Sequence, residues 1–592
     1  MIMTKKTSYL IGLAVALAVT ALSFILLERW QAFCFFSREQ GQIFLFDWKD
    51  VVSKILSPGG AAVVLSQFLV QFFKVPHVGA LVTVLLGLGC ILFLWGTLRK
   101  NGVPVAAAPL CLIPVFLQEG ALADTFYFYH GLVSFFLAIL LLWIHARFIS
   151  DKKAPKRTFL EILLTVLFYL AAGPAALLLA VCMAVIYIFS SKKDWYLALL
   201  PTVAVLICGL VSVRAGVFQN IRFAIFQDGY YESLVKPDWY IHASWVALPL
   251  VIAAGLCSRP IKGWPLKAAL ASAAVVLSLV VLYRIPGHIN KKYNDTLRLT
   301  HYVNGGDWDS ILKDPAARHM NYIMMSVRNL ALSHKGLLLD KLFDYPQKGY
   351  LSLLVDDDQS SLNPDIISFD SHIYYQMGNV GASMNKAFDA NVGSRYGAPA
   401  MVMKLIRTNL VWGAWDVAEK DIALMEKTWA YREEAQGLRR FLRNDEAILS
   451  DPELGRLRRC LQHTDSFVGM DIHGDLLEIL RTNPDDKAVR EYYVALMLLA
   501  KDIEGLRLYI ENDPGAYGPD GSFHPRLQEV IKIYAENDEA YCREHGVTDE
   551  TFKRYDSFKK RYIQAGNKGG NPVRDMKSFS GTFWYYYMFT EI

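Results

Sequence analysis

Charge is nearly absent from the interiors of the apolar runs that fill the first half of this chain; Glu161 and Asp194 come closest, at the ends of runs. A proton relay or ion pump needs ionisable groups well inside its spans, so the sequence argues against that class. Cysteine supplies no framework. Of the eight, Cys90, Cys111, Cys182, Cys208 and Cys257 lie in or beside apolar stretches, and only Cys34, Cys460 and Cys542 have polar surroundings. No pair has metal-ligand spacing, and three scattered cysteines make no disulfide network. They read as small apolar fillers. A phosphate-cradling glycine loop, a zinc motif and a nucleophile elbow are all missing. The net charge of +5 is small for the length, and no basic stripe interleaves with aromatics, so nucleic acid is not an implied partner. The run Asp356-Asp357-Asp358 lacks the spaced ligands and glycine of a calcium loop and reads as a solvated turn.

What is present is a division. At 592 residues the chain exceeds one hydrophobic core, and nearly every long uncharged run precedes Arg284. Runs near 8–27, 76–98, 104–118, 127–145, 159–172, 175–189, 195–213, 241–257 and 266–284 suggest about nine transmembrane helices. Gly173-Pro174 marks either a tight turn between two spans or a kink in one. The first run follows Lys5 and Lys6 and exceeds a secretory signal in length, which favours an uncleaved anchor. With the N-terminus cytoplasmic, inside loops collect Arg99, Lys100, Arg147, Lys152, Lys153, Lys156, Arg157, Lys192, Lys193, Arg259 and Lys262. The short outside connections near Glu119–Asp124 and Gly173 have no Lys or Arg, as the positive-inside rule expects. Trp95, Trp143, Trp195 and Trp264 then mark inner interfaces, and Trp30, Tyr127, Tyr129, Trp239 and Tyr240 outer ones. The expected fold class is all-α: a polytopic bundle over 1–284, with an outer interfacial loop at 28–75, followed by an extracytoplasmic helical domain over 285–592.

The outer loop holds the first candidate site. Amphipathic segments near 41–56 and 61–74 flank Ser57-Pro58-Gly59-Gly60 and suit helices lying along the outer membrane face. Glu39 and Asp47 lie there among Phe, Trp and Ile. A carboxylate in such a place is paired, hydrated or employed in chemistry, so both are candidate catalytic groups; a salt bridge of Glu39 with Arg38 or Arg29 is the plainer reading. Asp124, with Glu119, Tyr127, Tyr129 and His130 nearby, suggests an outer-leaflet pocket wall in which His130 meets a phosphate, or else simply hydrogen-bonds at an aromatic interface. Arg214 and Arg222, in the next outer loop, suit a lipid phosphate through their forked donors, or routine headgroup anchoring. Asp228, Tyr230 and Tyr231 in the same loop are candidate sugar contacts.

In the second half, apolar residues recur at helical intervals in 317–332, 400–412, 414–428 and 488–500, between Gly and Pro breakers. "MVMKLIRTNLVWGAWDVAEKDIALMEKT", with Gly413 at its turn, and "AVREYYVALMLLAKDIEGLRLYIENDP", ending in Pro514, look like tetratricopeptide helix pairs. A solenoid of such pairs offers a concave surface to a partner; a non-repetitive bundle is the rival. The aromatic tail "SGTFWYYYMFTEI" is expected to dock, on the last helices or on the membrane.

The layout of a first span, a long acidic outer loop and a run of short-looped spans resembles the multi-pass, C-type glycosyltransferases. Their resemblance implies a polyprenyl-phosphate-linked donor at the outer leaflet, with an acidic residue of the first outer loop, here Glu39 or Asp47, acting as base or helping to hold a divalent metal. The tandem acidic pair of many such enzymes is interrupted, since Gln40 follows Glu39. More narrowly, "EQGQIFLFDW" and "SPGGAAVVLSQFLVQFFKVPHVGAL" resemble an uncharacterised bacterial membrane family with a helical tail. Two functions are therefore carried forward. One is a lipid-linked-sugar-dependent transferase of the bacterial inner membrane, its helical domain periplasmic and binding the acceptor. The other is a non-catalytic anchored scaffold that recruits envelope proteins; a transporter ranks third.

Overall fold

A computed structural model describes residues 5–190, 195–261, 263–355, 363–461, 471–512, 523–567 and 571–591. These residues are helical throughout with no strand among them; one antiparallel bridge pairs Tyr127 with Tyr231. Two compact units form. The first runs to Asn294 and includes Lys427–Ala430; the second comprises Asp295–Glu426 and the chain from Tyr431 onward.

The first unit begins with α1 (Lys5–Gln40), which does not stop near residue 27. No glycine or proline separates Leu27 from Gly41, so the helix continues through the stretch expected to be loop and carries Glu39 in its last turn. Two short helices follow, α2 (Trp48–Ile55), which buries none of its residues, and α3 (Gly60–Val70). Then come α4 (Val78–Lys100), α5 (Leu112–Ala121), α6 (Tyr129–Phe148), α7 (Ala154–Ala172), α8 (Ala175–Ser190), α9 (Leu200–Arg214), α10 (Ile221–Ile225), α11 (Ala243–Cys257) and α12 (Trp264–Arg284). Gly173 is a turn rather than a kink: its φ of 68° ends α7, and α8 packs back against α7. The other breaker meets it there. Gly59, at φ 84°, donates its N–H to the Leu170 carbonyl at 2.9 Å, and a Cβ on it would lie 3.6 Å from the Gly173 nitrogen.

Six helices among the described residues are long and apolar enough to cross a membrane: Ala18–Gln40, Val78–Lys100, Tyr129–Phe148, Trp195–Arg214, Trp239–Cys257 and Trp264–Gly287. Gly60–Lys74, Val105–Ala121 and Ala175–Phe189 are apolar but shorter. At a rise of about 1.5 Å per residue such pieces fall short of a hydrocarbon core of about 30 Å. α7 carries Lys156, Arg157 and Glu161 near its start, which leaves it a shorter uncharged stretch than the six. The long helices expose Leu81, Leu85, Leu92, Ile207, Leu210, Leu250 and Val276, an apolar outer surface that suits lipid rather than water.

In the second unit the helices at Pro399–Trp412 and Trp415–Met425 pack together across Gly413, at φ 78°, and those at Lys487–Ala500 and Ile503–Asn512 pack across Lys501. The tail docks on its own unit: Phe583–Phe589 is a helix, Trp584 is buried, and its Nε1 donates to the Glu529 carbonyl at 2.8 Å. Asp356–Asp358, Asp194 and Pro514 lie outside the described residues.

Candidate functional site

The segment from Gln227 to Tyr231 organises one end of the first unit, and each of its side chains has a separate task. Gln227 Nε2 donates to the Tyr127 hydroxyl at 2.9 Å and to Gln118 Oε1 at 3.3 Å. Ser244 Oγ donates to the same Gln118 oxygen at 2.7 Å, and Gln118 Nε2 donates to the Tyr127 hydroxyl at 2.9 Å. This neutral network is fully buried, so each polar group needs the others. Tyr230 donates its hydroxyl to the Ala172 carbonyl and accepts from the Ala175 N–H, which fixes it to the α7–α8 turn. Tyr231 donates to Asp124 Oδ2 at 2.8 Å, and Tyr240 donates to the same oxygen at 3.0 Å.

Asp228 faces a cleft. Asn220 caps α10 by accepting from the Arg222 N–H at 3.0 Å, and from that helix Arg222 Nη2 reaches Asp228 Oδ1 at 2.6 Å. His242 Nε2 stands 3.6 Å from the other Asp228 oxygen. The cleft encloses about 440 Å³. Leu177, Leu178 and Val181 of α8, Trp245 and Val246 of α11, and Phe226 form its apolar walls, while Arg222, Asp228, His242 and Gln227 supply its polar lining. An apolar slot lined at one part by a cation, a carboxylate and an imidazole can take an amphipathic molecule, tail against the leucines and head against Arg222.

Of the residues singled out from sequence, Arg222 lines this cleft, and Asp124 is joined through Tyr231 to the same segment. His130 is buried, stacked on Phe128 at 5.4 Å and set edge-on to Tyr230 at 5.3 Å. Arg214 ends α9 and is exposed. Glu39 and Asp47 are not part of the cleft lining. Glu39 is buried and accepts from Gln40 Nε2 at 2.6 Å. Asp47 caps α2, accepting from the Lys49 N–H at 2.9 Å, and pairs with Lys427 at 2.6 Å. The Lys427 hydrogen bond, then the Lys49 amide, hold its carboxyl below the ordinary carboxylate range.

Sequence reasoning missed the amide network and considered Arg38 only as a partner for Glu39. Gln118 and Ser244 sit within apolar runs, and that is the signal they offered: an uncharged polar residue inside such a run needs an internal partner. Arg38 Nη2 donates to the carbonyls of Leu122 at 2.6 Å and Asp124 at 3.1 Å; its Nε and Nη1 are buried with no hydrogen-bond partner among the described residues. Glu119, expected in an outer connection, is buried in α5, where Ser23 Oγ reaches it at 3.4 Å and Gln31 Nε2 donates to its carbonyl at 3.1 Å. A separate cluster joins His145 to Glu161 at 2.8 Å with Arg157 at 3.6 Å. Among the described residues no three of His, Cys, Asp and Glu gather as a metal site would require, so no step is assigned to a metal.

Among the described residues the architecture is helical, six helices are long and apolar enough to cross a membrane, and an apolar cleft is lined in part by charge. The model of a family described as "Family of unknown function (DUF6057)" matches residues 6–590, and the chain belongs to that family. No curated protein matches the chain, and neither does any solved structure.

Proposed function

We propose that this protein is an integral membrane protein of the bacterial inner membrane that transfers a sugar, or a related group, from a polyprenyl-phosphate carrier to an acceptor at the outer leaflet. The observation that carries this reading is the cleft, whose leucine, valine and tryptophan walls suit an isoprenoid and whose Arg222 suits a phosphate. In the transfer, the acceptor oxygen bonds to the sugar carbon as the carbon–oxygen bond to the phosphate breaks. The acceptor proton passes to a carboxylate, and the lipid phosphate leaves. Asp228, at the cleft, is better disposed for that proton than Glu39 or Asp47, neither of which lines it. Taken with α5, α7 and α8 as crossings beside the six long helices, the count is odd and the C-terminal domain lies on the periplasmic side, a direction supported by the basic residues of the inside loops; its helical pairs then form a solenoid-like receptor for the acceptor.

The test is co-purification and binding of polyprenyl phosphate to the full chain in lipid nanodiscs, read by native mass spectrometry. Bound lipid is expected for the wild type, and lost when Leu178→Trp fills the slot or Arg222→Gln removes the cation. Equal lipid retention in all three overturns the reading. The helical pairs at Pro399–Met425 and Lys487–Asn512 favour a second reading, a membrane-anchored scaffold that recruits an envelope protein. That reading is selected if the wild type binds no polyprenyl phosphate.

A further inference from the structure

Three segments wall the cleft of the first unit, and only two of them bring polar groups. The α8 side is wholly apolar, whereas the segment from Arg222 to Asp228 and the start of α11 supply every polar side chain. Arg222 and Asp228 answer each other at 2.6 Å. Gln227 and Trp245 are different. Gln227 is fully buried, and its donors fix which way its amide points: Nε2 serves the Tyr127 hydroxyl at 2.9 Å, so the other end is the carbonyl oxygen. That oxygen, Oε1, has no hydrogen-bond partner among the described residues. Trp245 is only 9 % exposed and stands edge-on to the Tyr230 ring, 6.0 Å between centroids. Its indole Nε1 likewise has no hydrogen-bond partner among the described residues.

One acceptor and one donor are thus left over on residues that line a single cleft. A buried polar atom without a partner is unfavourable, so a ligand that pairs with both is favoured over one that pairs with neither. The two atoms also narrow the chemistry of that ligand. A bare phosphate accepts from an indole N–H, but at neutral pH it is mostly stripped of the proton that Gln227 Oε1 requires. An ammonium donates to Gln227 and has nothing with which to accept from Trp245. A hydroxyl does both. We propose that this cleft reads hydroxyl groups on a phosphodiester head, Trp245 Nε1 donating to the head and Gln227 Oε1 accepting from it, beside a phosphate held by Arg222.

The inference rests on the lipid-phosphate reading of the cleft and makes Trp245 and Gln227 the residues that tell a carrier bearing a sugar from the bare carrier. Such a site discriminates strongly, because a ligand without the hydroxyl leaves the buried donor and acceptor unpaired. The same chemistry is found on the glycerol head of a phospholipid, so the hydroxyls have two sources. A bound water molecule is the rival occupant. It satisfies both atoms equally well, and hydroxyls on the ligand then bring no advantage.

The full chain in phosphatidylcholine nanodiscs is titrated with polyprenyl phosphate, polyprenyl-phosphate hexose and phosphatidylglycerol, and bound lipid is read by native mass spectrometry. The hexose form is expected to bind about tenfold more tightly than the bare carrier. In Trp245→Phe, which keeps a ring and deletes the N–H, that ratio falls towards one. Phosphatidylglycerol bound as tightly as the hexose form assigns the hydroxyls to a phospholipid head; the hydroxyl inference then stands while the sugar-transfer reading falls. Equal binding of the two polyprenyl lipids by the wild type overturns the inference without any variant and leaves the lipid-phosphate reading in place. Binding of none of the three lipids overturns both. A ratio unchanged in Trp245→Phe overturns the inference alone.

Discussion

The two units enclose polarity with different partners. The first exposes Leu81, Leu85, Ile207 and Leu250 and encloses, beside acids such as Glu119, a network of amides and hydroxyls in which Gln118, Gln227, Ser244 and Tyr127 bond to one another. The second buries full charges. Arg328 is enclosed and donates to the carbonyls of Ala317 at 2.8 Å and Pro346 at 2.7 Å, while Arg526 donates to Leu339, Asp340 and Gly581 carbonyls and pairs with Glu529 at 3.2 Å. In both units the buried group pins irregular backbone or a turn. Neutral partners are cheaper to enclose than ions, and an enclosed charge needs carbonyl or acid ligands in place.

Breaking the charged lock is expected to have the largest effect. Arg526→Ala leaves buried Glu529 with only the more distant Arg554, at 3.7 Å, and releases three carbonyls, at a cost of about 3 kcal/mol. The Phe583 N–H donates to Glu529 at 2.7 Å, so a shift of that carboxylate loosens the tail as well. Thermal unfolding of the full chain and proteolysis of the tail should both show the loss. Adding Glu529→Gln to Arg526→Ala should recover part of it, and an Arg526→Ala chain as stable as wild type would break the comparison. The neutral network is expected to give a smaller effect. Gln227→Leu takes one donor from the Tyr127 hydroxyl and one from Gln118 while each keeps another, at a cost of about 1–2 kcal/mol, measured by detergent-induced unfolding. That cost should be the same at pH 6 and pH 8, since neither amide nor phenol titrates there.

Legibility followed the same division. The long apolar runs, the Gly413 turn and the helix pair after Val489 were readable because each is local: periodicity, a glycine, a run length. The end of α1 was misread because an interfacial segment rich in aromatics is as helical as a span, and only Gly41 stops it. The partners of candidate site residues were not readable at all. Asp47 finds Lys427 across 380 positions, and Asp124 finds Tyr231 across 107. The burial of Lys404 carried no local signal. Its burial depends on the helices that carry Tyr375 and Glu453, and no pattern in "MVMKLIRTNL" reports them.

The smallest expected effect separates the two kinds of burial most sharply, because it is read as a pH slope. Asp475, 2 % exposed, accepts from Asn379 Nδ2 at 2.9 Å. Burial raises its carboxyl to about 6; the Asn379 hydrogen bond opposes this, and the charge of Asp471 adds to it. Its folded pKa therefore exceeds that of the unfolded chain, near 4, so the folded state keeps a proton that the unfolded state releases. The contribution to stability is fully present below pH 4, falls as pH rises through 6, and is lost above that. Asp475→Asn, a neutral near-isostere, should match the wild type near pH 4 and exceed it by about 1–2 kcal/mol at pH 8. Denaturant unfolding of both chains at several pH values gives the difference directly, with the other titrating groups cancelling. A difference that stays level from pH 4 to 8 would mean that Asp475 is solvated like any surface acid.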